Sequence, residues 1–155
     1  MAINTDKKFT DFVSEIKTRI RKSRLEALRF ANKELIDLYW YIGKSICEKQ
    51  KSGWGRSIVP KLSEELQQEF PGTRGYSVSN LWYMAQFYKE YYGKKNLESL
   101  IREIGWTQNV AIFKVCKKDQ EREFYLAAVA KFGWTVNVIC CPTAKKLQCG
   151  SAILP

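Results

Sequence analysis

The stretch EFPGTRGYSVSNLWYM, Glu69–Met84, decides the fold, because it breaks one helical pattern at Pro71-Gly72 and opens another just after Gly75. Proline cannot continue a helix, and glycine readily ends one. Ser77 then stands where an N-cap accepts a backbone N–H, and the residues beyond it turn heavily aromatic. Upstream, Ile58, Leu62, Leu66 and Phe70 recur every four residues. That spacing predicts a helix over about Ser57–Phe70, with Pro60 tolerated inside its first turn. Downstream, a second helix is predicted over about Val78–Tyr92, with Gly93 just past its end.

Further towards the N-terminus, Phe9, Val13, Ile16, Ile20, Ala27, Ala31, Leu35, Leu38, Ile42 and Ile46 recur mostly at three or four residues. No Gly or Pro interrupts them before Gly43, so the pattern predicts either one helix of about 35–40 residues or two with a bend near Lys22–Arg24. Such a length suggests that part of it packs against a second copy of the chain. Towards the C-terminus, shorter helices are predicted at Leu97–Ile104 and Asn109–Val115, and a longer one at Asp119–Phe132 with Gly133 as its cap. Strand and hairpin signals are weak. The expected fold is an all-α domain over residues 1–138, with a long N-terminal helix and a helix-turn-helix-like unit. Residues 139–155, which carry Cys140, Cys141 and Cys149, are expected to form an irregular tail.

The 155 residues, 45% of them hydrophobic, suffice for one substantial core. No apolar run is long enough to cross a membrane and no signal-peptide pattern opens the chain, so a cytoplasmic protein without membrane contact is expected. A net charge of +10 raises the prospect of a polyanionic partner. The excess gathers at Lys17, Arg19, Arg21, Lys22 and Arg24, beside only Glu15 and Glu26. Nucleic acid, double-stranded DNA above all, is the partner class that fits; a solvated helix face is the plainer alternative. With no histidine and no C-x-x-C pair, neither a zinc site nor another cofactor is expected. Cys47 and Cys116 fall in apolar patterns and are expected to be packing residues.

Within that frame the second helix of the decisive stretch resembles a recognition helix, whose N-terminal residues enter a groove while later ones join the core. Ser77, Ser79 and Asn80 have the side chains such a position needs, since Asn can bond adenine bidentately and Ser can meet phosphate or base. Arg74 in the turn is placed to reach a phosphate, and Arg19, Arg21 and Arg24 would contact the backbone from the long helix. A capping role for Ser77 and a surface role for Asn80 remain the alternative. Trp82, Tyr83, Phe87, Tyr88, Tyr91 and Tyr92 cover nearly every face of that helix, which marks a central core helix more often than a platform for stacked bases. No catalytic residues are expected. Glu15-Ile16-Lys17 matches the Glu-x-Lys part of metal-dependent nucleases, but it sits on an amphipathic helix rather than a strand.

The blocks LYWYIGKSI, GWGRSIVPKLSEELQQEFPGTRGYSVSNLWYMAQFY, IGWTQNV and EREFYLAAVAKFGWTVNV, in that order over about Ile16–Val138, resemble the N-terminal domain of the YhcG-type bacterial proteins. Those are predicted nucleases of the PD-(D/E)XK class whose amino half was long a domain of unknown function. The resemblance implies a helical, DNA-binding targeting module attached to a nuclease, and hence a noncatalytic role for this part. A protein interaction or dimerisation domain without nucleic-acid contact is the alternative. In two places the chain departs from the family pattern. After Val138 the expected nuclease half gives way to the cysteine-rich tail, as in a truncated reading frame or a solo module, and Gln108 stands where relatives commonly carry His.

Overall fold

The computed structural model describes residues 3–140. Seven α-helices and no strand occur among them: α1 (Ile3–Lys49), α2 (Ile58–Glu69), α3 (Val78–Tyr91), α4 (Lys95–Leu100), α5 (Trp106–Val115), α6 (Asp119–Phe132) and α7 (Val136–Cys140). The all-α expectation holds. None of these helices is long and apolar enough to cross a membrane.

The first helix is unbroken across Lys22–Arg24 and runs for 47 residues, so of the two readings of its pattern the single helix is the observed one. Neither Gly nor Pro is present there to bend it. It ends in a wide turn, Gln50–Trp54, where Gly53 takes φ 88°. Its two halves live in different surroundings. From Asn32 onward it joins the domain: Ile36, Tyr39, Gly43, Ile46 and Cys47 are buried. From Asp6 to Ala31 every residue but the half-buried Val13 is exposed.

The aromatic helix α3 is the centre of the fold, as its all-round apolar character implies. Leu81, Met84, Ala85, Phe87 and Tyr91 are buried along it, and it packs on α1, α2 and α5. Gly43 lets α1 and α3 approach closely, because a methyl group there would collide with the carbonyl oxygen of Met84. Two apolar clusters result. The larger gathers Ile36, Phe87, Tyr91, Ile101, Ile112 and Tyr125, and the smaller gathers Tyr39, Ile46, Val59, Leu81 and Met84. Trp106 packs against both, edge-on to Tyr39 at 4.8 Å and to Phe87 at 5.2 Å.

Buried Arg122 ties α6 to α3 through Glu90 at 2.8 Å, and donates from Nε to the Cys116 carbonyl at 3.2 Å. Gly133 closes α6 in the left-handed region at φ 66°. Cys47 and Cys116 are core residues, 4% and 2% exposed, in line with their apolar patterns. Burial raises the Cys47 thiol above its ordinary pKa, although Lys89 and Lys51 pull it down. The irregular tail expected from residue 139 begins differently: Ile139 and Cys140 end α7, and the Ile139 side chain is fully buried. The rest of that tail, Cys141 and Cys149 included, lies outside the described residues.

Candidate nucleic-acid interface

A helix repeats every 3.6 residues, so positions three, four and seven apart share a face. On α1 this places Phe9, Val13, Ile16, Ile20, Ala27 and Phe30 in one stripe. Lys17, Arg21 and Arg24 fall along one flank of the stripe, within about 60° of one another. Arg19 does not join them. It falls across the stripe, on the flank that carries Glu15 and Glu26. The expected trio Arg19, Arg21 and Arg24 is therefore divided, and Lys17 takes the place of Arg19 in a flank of one sign. All four cations are exposed, and among the described residues no ion pair engages them.

The α2–α3 connection is a built turn. Ser63 on α2 donates its hydroxyl to the Tyr76 carbonyl at 2.7 Å, and Gln67 donates to Ser63 Oγ at 2.7 Å. Ser77 caps α3, its Oγ accepting the Asn80 N–H at 3.3 Å. Asn80 is half-buried, and each end of its amide makes one bond inside the protein. Nδ2 donates to the Gly75 carbonyl at 2.6 Å, and Oδ1 accepts the indole N–H of Trp106 at 2.8 Å. The two atoms that a bidentate contact with adenine needs each already hold a partner within the protein, which gives Asn80 a part in the scaffold of the turn. Arg74, Ser77 and Ser79 are exposed. The connection spans residues 70–77, longer than the turn of three or four residues in most DNA-binding helix-turn-helix units.

The two halves of the expected interface are also apart. The turn meets α1 at Tyr39, whose hydroxyl lies against Gly75. At about 1.5 Å rise per residue, Arg24 and Arg19 stand roughly 22–30 Å further along the axis of α1. Two other surface features lay beyond the reach of sequence patterns. Lys44, Lys51 and Lys89 gather beside Tyr88 and Tyr92, with Glu48 among them 3.8 Å from Lys44, joining α1 and its terminal turn to α3. An apolar groove of about 600 Å³ runs between α1 and α2, lined by Leu38, Tyr41, Ile42, Ile46, Ile58 and Leu62 among others. Both bring together residues distant in the chain, so no local spacing announces them.

Gln108, where the family resemblance leads one to look for His, serves the backbone. Its Oε1 accepts the Gly105 N–H at 3.0 Å at the start of α5, and its Nε2 donates to the Trp134 carbonyl at 3.2 Å. Glu15 and Lys17, two residues apart on an exposed helix, diverge from one another. No group of three or more metal-ligating side chains comes together among the described residues.

A family model described as the DUF1016 N-terminal domain matches residues 15–147 of the chain. Neither the curated proteins nor the solved structures provide a match.

Proposed function

The chain belongs to the DUF1016 N-terminal domain family, the YhcG-type domain its motifs resemble, and from that premise we propose that it is a noncatalytic nucleic-acid-binding module, taking duplex DNA. The observation that carries this reading is the exposed flank Lys17, Arg21 and Arg24, of one sign, on a half-helix that stands clear of the domain. Such a ridge of cations neutralises phosphates without asking for a base sequence. Arg74, Ser77 and Ser79 would supply a second contact at the α2–α3 turn, while Asn80 holds that turn in shape. The described residues themselves carry no nuclease domain, so targeting is the role this reading gives them. It places the protein in the cytoplasm, where nucleic acid is met in a medium that keeps thiols reduced.

The test is a salt titration of binding to duplex DNA. About four to six phosphate contacts weaken affinity roughly 10²- to 10³-fold between 50 and 200 mM salt. Replacing Lys17, Arg21 and Arg24 together by Ala flattens that slope and lowers affinity for all sequences alike, whereas Arg19→Ala alone has the smaller effect. A flat salt dependence in the unaltered protein, or a triple variant that binds as before, would remove the basis of the reading. The interaction-domain alternative draws on a different observation, the exposed apolar stripe of α1 and the groove beside α2.

A further inference from the structure

We propose that two copies of the chain pair antiparallel through the exposed half of α1. Phe9, Val13, Ile16, Ile20, Ser23, Ala27 and Phe30 alternate in steps of four and three, which is the heptad seam of a coiled coil. Phe9 is 66% exposed and Phe30 67%, and Phe12, Ile16 and Ile20 lie between 44% and 57%. These five side chains leave roughly 550 Å² open per copy. Pairing would then bury roughly 1,100 Å² before the arginine and lysine stems are counted, close to the ~1,200 Å² at which specific interfaces begin.

The chain's own described residues do not supply the cover. The helix is continuous, so its first half cannot fold back on its second, and the domain grips α1 through Ile36, Tyr39, Gly43 and Cys47, on roughly the opposite side from the seam. A helix lying on the seam therefore clears the domain. The segment 141–155 carries Lys145 and Lys146 and no acid, so it is ill matched to flanks that are already basic.

Size and charge together select the antiparallel register in which Ile20 faces Ser23 of the second copy. In that register Val13 meets Phe30 and Ile16 meets Ala27, a large side chain against a smaller one at each layer. Along one edge Arg19 meets Glu26 of the second copy, twice by symmetry. Parallel pairing instead sets Arg19 against Arg24 of the second copy and offers no opposite pair at these positions. The antiparallel form leaves Lys17 facing Arg24 along its other edge, which becomes a continuous basic ridge. On the nucleic-acid reading, and only on it, phosphates occupy that ridge.

The experiment is sedimentation equilibrium of the full chain at micromolar concentration without nucleic acid, so that a failed nucleic-acid reading leaves it intact. The unaltered protein is a dimer. Arg19→Glu and Glu26→Arg each weaken association about tenfold, and the two changes combined restore it, because the charges exchange places across the same edge. All these positions are exposed, so the fold itself is untouched. A monomer throughout overturns the proposal. So does tighter association of Arg19→Glu, which would then be meeting Arg24 in a parallel pair, and so does failure of the combined variant to recover.

Discussion

Asn80 shows how residue type and residue role part company. A polar side chain in the first turn of a helix after a basic turn has the profile of a reader, yet its amide bonds both Gly75 and Trp106, the latter 26 residues further along the chain. Asn80→Ala would leave the Trp106 indole N–H and the Gly75 carbonyl without these partners. We expect it to lower the free energy of unfolding by about 1–3 kcal/mol in urea titrations. Neighbouring Ser79, exposed, should change stability by less than about 0.5 kcal/mol when replaced by Ala. Equal stability of both variants would mean that the Asn80–Trp106 link does not hold the turn. Ser77, by contrast, is the cap its position suggested, and Gln108 braces two backbone groups where a titratable side chain was the family expectation.

At the scale of the element, α1 is two objects on one axis. Forty-seven residues at about 1.5 Å each give a rod of about 70 Å, far longer than the domain it enters needs. Its second half is fixed to α3 at the point where Gly43 allows backbone to approach backbone. Gly43→Ala would set a methyl group against the Met84 carbonyl, and neither helix can yield without disturbing Leu81, Met84 and Ala85 beneath. The expected loss is at or above the upper end of the usual overpacking range, about 3 kcal/mol, read as a lowered unfolding midpoint. A variant as stable as the parent would show that the contact is looser than described. The first half owes the domain little, and its cations and apolar stripe are exposed.

For the molecule as a whole, the core is polar in places that matter at high pH. The Tyr91 and Tyr125 hydroxyls are buried and have no hydrogen-bond partner among the described residues. Burial raises both phenols above the ordinary value of 10.0, for Tyr91 despite the nearby Arg122 guanidinium. A group whose pKa is raised on folding favours the folded state while it stays protonated, so its contribution is complete below pH 10 and is lost as pH climbs towards the folded values. Stability should therefore hold up to about pH 9 and fall above about pH 10, with the two buried phenols ionising only as the chain unfolds. Tyrosinate absorbance recorded alongside circular dichroism checks this. Ionisation of every tyrosine in a still-folded protein would contradict it.

The amino-acid sequence by itself determined the helices, since period, caps and breakers act within a few residues of one another. The Asp119–Phe132 helix and its Gly133 cap, the Ser77 start and the absence of strands among the described residues all follow from such local rules. It also determined that the aromatic helix is central and that Cys47 and Cys116 are packed away, because apolar surface must find cover. Only the tertiary structure decided what each polar residue meets. Asn80 became scaffold because Trp106 arrives from a distant segment. The α1–α2 groove exists only when both helices are in place. Ile139 belongs to the core because apolar residues of other segments pack around it, and no spacing along the chain records that fit.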